Sequence, residues 1–191
     1  MIFFNTSLGI DFRRSHLVLT LLRKSFGKIR LVDHKVYPLL SEGHKGMQEG
    51  QWISFITTFI ANHRHRINRD RVSVAIPREK VVVRFIRFPI AVKENLRKVL
   101  EYESSKYTPF DKEEIYFDYQ ILKEEKEWID LIAVFAQKET IDSYLSALKK
   151  MGIRPLNLQV SAEAALNLFY YNGGDQEGLI SVLIDVNKPF F

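Results

Sequence analysis

The sequence predicts a mixed α/β protein in which a small α+β block interrupts a larger body of sheet and helices. Three observations predict it. Three strand-like stretches follow one another in the first 37 residues before any helical period appears. Amphipathic helical faces then alternate with further strand-like runs. Pro77 and Gly152 bracket a middle stretch that has strands and helices of its own.

The elements follow in order. Leu8–Phe12 is a short apolar strand, and His16–Leu22 is apolar and β-branched enough for a second. Ser25-Phe-Gly-Lys28 reads as a turn, with Gly27 free to take positive φ. Ile29 to Tyr37 alternates loosely as a third strand, and Gly43, Gly46 and Gly50 mark a loop. Trp52, Phe55, Ile56, Phe59 and Ile60 then put one apolar face on a helix. Val72–Ile76 is a strand ended by Pro77, and Val81–Phe88 is another closed by Pro89. Leu96, Val99, Leu100 and Tyr107 stripe a helix from about Val92 to Tyr107, which Pro109 stops. Ile115–Leu122 and Trp128–Phe135 are strands around the charged turn Lys123–Glu127. Ile141, Tyr144, Leu145 and Leu148 make a helix that Gly152 caps. Leu156–Val160 is a strand, Ala162–Tyr171 a helix and Leu179–Asp185 a last strand.

Composition narrows the function classes. The 191 residues are 46% hydrophobic and 13% aromatic, enough to bury a core and to exclude disorder over most of the length. There is no cysteine, hence no disulfide framework and no thiolate metal site, which suits the cytoplasm. No signal peptide is expected, and no apolar run reaches the roughly 18 residues that span a bilayer, so the chain is expected to be soluble. The net charge of +5 hides an asymmetry: 19 Lys/Arg against 7 Asp/Glu in residues 1–100, then 9 against 16 in residues 101–191. Such a split either steers association with an oppositely charged surface or coats one solvated surface.

Titratable clusters are few. The histidines at 16, 34, 44, 63 and 65 are scattered, so no metal site is expected. The run Arg64–Arg71, followed by Arg78, Lys80, Arg84 and Arg87, is basic. It reads as a patch for anionic lipid headgroups or an acidic partner, or as a solvated helix end. No nucleic-acid binding is expected, because no groove-reading helix or aromatic stacking motif is present.

The order β-β-β-α-β, then β-α-β-β-α, then β-α-β is that of an actin-like or ribonuclease-H-like first lobe with an inserted α+β subdomain. Its stretches Val72-Ser-Val-Ala-Ile-Pro77, Phe88-Pro89, Tyr107-Thr-Pro-Phe110, Asp118-Tyr-Gln-Ile-Leu122, Ser143-Tyr-Leu145 and Met151-Gly-Ile-Arg-Pro155 resemble the type IV pilus assembly protein PilM family. The resemblance implies residues 1–76 plus 152–178 as the actin-like subdomain, 77–151 as the inserted subdomain, and 179–191 as the stub of a second lobe. It also implies phosphate loops after two strands, with ATP and Mg²⁺ as the cofactors of the family pattern. Asp11 and Ser15 fit the first loop, but Arg13 stands where that pattern has glycine. Asp185 fits the second, but Asn187 replaces the glycine and Pro189 removes a backbone donor. Alternatively, Asp11 caps a β-turn.

The expected function is therefore a non-catalytic adaptor without a bound cofactor, cytoplasmic and peripheral to the inner membrane. In the PilM family and its relative, the cytoplasmic domain of the type II secretion protein GspL, this module binds other assembly proteins. The implied partners are a PilN-like or other inner-membrane platform protein, received near Val72–Pro77 and Met151–Pro155, and a secretion or pilus motor ATPase. Leu179–Ile184 is expected to pack on its own lobe or pair with a second copy as a homodimer. Two other classes compete: an active actin-like ATP-binding protein, and a ribonuclease-H-like nuclease using Asp11, Glu49 and Asp185.

Overall fold

A computed structural model describes residues 5–39, 49–64, 67, 71–174, 181 and 183. It divides into two compact units, residues 1–78 with 145–191, and residues 79–144.

The first unit is built on a five-stranded sheet. Strands β1 (Asn5–Phe12), β2 (His16–Ser25) and β3 (Lys28–Pro38) form an antiparallel meander. Helix α1 (Glu49–Asn62) leads to β4 (Val72–Ile76), which lies parallel to β1, and β8 (Pro155–Val160) lies parallel to β4. The order across the sheet is β3-β2-β1-β4-β8. The meander is antiparallel because its links are two-residue turns, whereas each parallel step needs a long crossover. Leu8, Ile10 and Phe12 of β1 alternate with Leu17, Leu19 and Leu21 of β2 to cover one face, all at most 1% exposed. Each such side chain contributes about 1.5–3 kcal/mol of burial. In β4, Val72, Val74, Ala75 and Ile76 are all buried, as befits a strand covered on both faces. Helix α1 docks through aromatics: Trp52 meets Phe12 edge-on at 5.0 Å, and Phe55 stacks on Tyr37 at 4.5 Å.

The second unit is a three-stranded antiparallel sheet in the order β5-β7-β6, from Val82–Pro89, Trp128–Gln137 and Ile115–Glu124. The central strand β7 turns Ile129, Leu131, Ala133 and Phe135 to one face, where Leu96 and Leu100 of α2 (Leu96–Glu103) close the core. On the other face Arg87 grips Asp130 across the strands with two hydrogen bonds of 2.6 and 2.8 Å. The start of α3 (Lys138–Lys150) is fixed by Lys138 Nζ donating to the Glu113 carbonyl at 2.6 Å and by Tyr116 donating to Asp142 at 3.1 Å.

The expected strands and helices over the described residues form, with one correction. The stretch Val92–Tyr107 is not one α-helix: Ile90–Asn95 and Ser104–Lys106 are 3₁₀ turns flanking the two turns of α2. Asn95 sits outside helical geometry at φ −119°, and the Ser104 hydroxyl donates back to the Glu101 carbonyl at 2.8 Å. The C-terminus of α3 is closed as expected. Gly152 at φ 71° donates to the Lys149 carbonyl, and Ile153 to that of Leu148. Asp185 and nearly all of the segment 179–191, with the expected last strand, lie outside the described residues.

Candidate functional site

The parallel strands β1, β4 and β8 bring three chain segments to one edge of the first unit's sheet. Asp11 is next to last in β1 and pairs with Ala75 of β4. Ile76 ends β4 and pairs with Val160, which ends β8. Ser161 follows at once as the first residue of α4 (Ser161–Tyr171). Sheets with parallel strands place their ligand sites at such carboxyl ends.

The side chains meet there. Ser161 Oγ lies 3.0 Å from Asp11 Oδ1 and 3.0 Å from the Ile76 carbonyl oxygen, so one hydroxyl proton is shared between a carboxylate and a backbone acceptor. The other carboxylate oxygen, Oδ2, accepts a 2.8 Å hydrogen bond from Arg13 Nε. Asp11 and Arg13 are each 22% exposed at the side chain. The Asp11 carboxylate thus has a cation on one oxygen and a hydroxyl at the opening of a helix on the other.

The turn after β1 is tight and anchored. Arg13 donates its backbone N–H to the His16 carbonyl at 3.0 Å, leaving Arg14 and Ser15 as the two-residue link. Phe12, fully buried, holds the turn to Trp52. Ser15 is occupied locally: its hydroxyl lies 3.0 Å from His16 Nδ1, and its carbonyl accepts from the Leu39 N–H at 2.8 Å. Of the expected site residues, Asp11 therefore joins Arg13 and Ser161, while Ser15 serves the hairpin. Asp185 and the side chain of Glu49 lie outside the described residues. Ser161 went unrecognised in the sequence. Its signal was available: a serine at the junction of a strand with the helix that follows.

The donor set tests poorly against Mg²⁺ and nucleotide. Mg²⁺ takes six oxygens in near-ideal octahedral geometry, at least one of them a carboxylate. Among the described residues this edge offers one carboxylate, already bonded at both oxygens. Arg13 also stands in the turn where a phosphate cradle needs the bare backbone of glycine. No group of three or more His, Cys, Asp or Glu side chains converges elsewhere among the described residues. No helix among them is long and apolar enough to cross a membrane.

Comparison with known proteins agrees with this architecture. The family model described as Type IV pilus assembly protein PilM matches residues 9–179. The solved structure of a PilM–PilN type IV pilus biogenesis complex superposes with a TM-score of 0.72 at 23% identity, over 87% of this chain and 50% of that one. The cytoplasmic domain of EpsL, an inner-membrane component of the type II secretion system of Vibrio cholerae, superposes with a TM-score of 0.57 at 12% identity, over 82% of this chain and 57% of that one. This chain thus spans half of the first structure's length and 57% of the second's. These likenesses show the actin-like fold, and the family match, which takes in both sheets and the Asp11 turn, shows that the chain belongs to the type IV pilus assembly protein PilM family.

Proposed function

We propose that this chain is a non-catalytic adaptor of a type IV pilus or type II secretion machine. It works in the cytoplasm against the inner membrane, joining a PilN-like platform protein to a motor ATPase. The observation that carries this reading is the engagement of Asp11. In an actin-like turn this carboxylate serves by reaching a hydrated cation. Here Arg13 and Ser161 hold both of its oxygens, so a cation must first break an ion pair and a hydrogen bond. Family membership and the likeness to a chain solved with PilN support the choice of partner.

Titration calorimetry tests it. The cytoplasmic tail of the cognate PilN-like protein should release heat on binding, equally with and without Mg-ATP. Silence in the calorimeter, with no shift on gel filtration, would refute the adaptor. A second reading, an ATP-binding actin-like protein, draws on the meeting of three strand ends with the N-terminus of α4. Ligand binding raises stability by about RT ln(1 + [L]/Kd). A melting-temperature rise of several degrees at millimolar Mg-ATP, abolished by Asp11→Ala, would establish it.

A further inference from the structure

The turn between β2 and β3 breaks a local rule. Ser25 pairs with Lys28, so Phe26 and Gly27 form a two-residue hairpin turn. Both have positive φ, 49° and 76°, as in a type I′ turn. That turn favours Asn-Gly, Asp-Gly or Gly-Gly, because a bulky side chain is strained in the left-handed region. Here the first position is phenylalanine, and it gains no burial in return. Phe26 is 87% exposed, the most exposed large hydrophobic side chain among the described residues. Strain held without a packing reward points to function.

The neighbours of Phe26 are of one charge. Arg23, Lys24, Lys28 and Arg30 flank it in the sequence, and no Asp or Glu lies between Arg23 and Val32. Arg23 stands directly across from Arg30, so the two guanidinium side chains leave the hairpin on the same face. Arg23, Phe26, Lys28 and Arg30 border one open cavity of about 660 Å³. Ile29 and Leu31, exposed at 41% and 63%, extend the apolar surface along β3.

We propose that the β2–β3 hairpin docks on an anionic lipid bilayer. Phe26 enters the headgroup region while the four cations face lipid phosphates. A two-residue turn that presents a single exposed aromatic suits an interface that a side chain can enter. Single-stranded nucleic acid instead takes a groove with successive stacking rings. The site is independent of the Asp11 turn, and it deepens the reading that the chain works against the inner membrane; vesicle binding and binding of the PilN-like tail are separate measurements.

Vesicle co-sedimentation of the full chain tests it. The protein should pellet with vesicles of equal parts phosphatidylcholine and phosphatidylglycerol, not with phosphatidylcholine alone, and salt should release it. Each cation removed should weaken partition about fivefold, so K28E/R30E should abolish pelleting. Phe26→Asn is the discriminating variant: it installs the favoured Asn-Gly turn, so melting temperature should hold or rise while vesicle binding falls. Lys98→Glu, at an exposed position of α2, should leave binding unchanged. The proposal is overturned if anionic vesicles fail to pellet the wild-type chain, or if Phe26→Asn binds them as wild type does. It is also overturned if these variants change only retention on single-stranded DNA, or only the oligomeric state by light scattering.

Discussion

Strand β2 is bracketed by two turns of equal length and opposite character. At its start, the Arg14-Ser15 turn is drawn inward: Phe12 is buried, Arg13 is paired with Asp11, and the Ser15 hydroxyl meets His16. At its end, the Phe26-Gly27 turn presents its aromatic ring to solvent among four cations. Two phenylalanines and two groups of basic residues within twenty residues thus serve contrary ends. Composition cannot separate them, because what separates them is the neighbour each side chain meets. The first turn faces β4, β8 and two helices, while the second extends past the edge of the core.

The largest expected effect separates the two rings. Phe12→Ala removes a fully buried side chain and should cost about 3–5 kcal/mol in urea unfolding. Phe26→Asn should instead leave stability equal or raise it by about 1 kcal/mol, because asparagine tolerates the left-handed region. Equal losses at the two positions would erase the contrast.

The next effect concerns the inward charges. Arg13→Gly leaves the Asp11 carboxylate without its cation, and should cost about 1–3 kcal/mol. The same change clears the turn, so the rise in melting temperature with Mg-ATP should exceed that of the wild type. An unchanged response would mean that Arg13 is not what closes the turn to phosphate.

A smaller effect lies in the second unit and sets a baseline for exposed charge. Two hydrogen bonds from Arg87, aided by its charge, hold the Asp130 carboxyl below its usual pKa of 3.8. A folded pKa below the unfolded one gives stability that is present above the usual value and fades as pH falls through the folded value. Asp130→Asn should therefore lower the melting temperature slightly at neutral pH and leave it unchanged at strongly acid pH. An equal deficit at both would assign the loss to packing.

Much of the fold was legible because its signals are local. The apolar alternation in β1 and β2, the aromatic face of α1 and the glycine after α3 each act within a few residues, and each element formed where those signals lay. Two local signals were overridden. The apolar stripe from Val92 to Tyr107 does not register Asn95 and Ser104, whose polar side chains suit breaks in a helix. Gly27 announced a turn, but Phe26 carries no mark of positive φ, since only its pairing register imposes it. At the candidate site Asp11 was legible from its strand end. Ser161 was not, because it stands 150 residues away and reaches Asp11 only through two successive parallel pairings.

Strand β3 has a further consequence, for behaviour at high concentration. It is eleven residues long and, among the described residues, forms one edge of its sheet, with backbone groups on its outer side that a neighbouring chain could pair with. Two features blunt that edge. The register skips Val32, a bulge that interrupts the ladder, and Lys28, Arg30 and Lys35 punctuate the strand with like charge. Two of those cations are ones a bilayer would neutralise. Protein gathered on an anionic surface would lose part of its guard against strand-to-strand association, so crowding there would favour ordered lateral contacts that dilute solution suppresses.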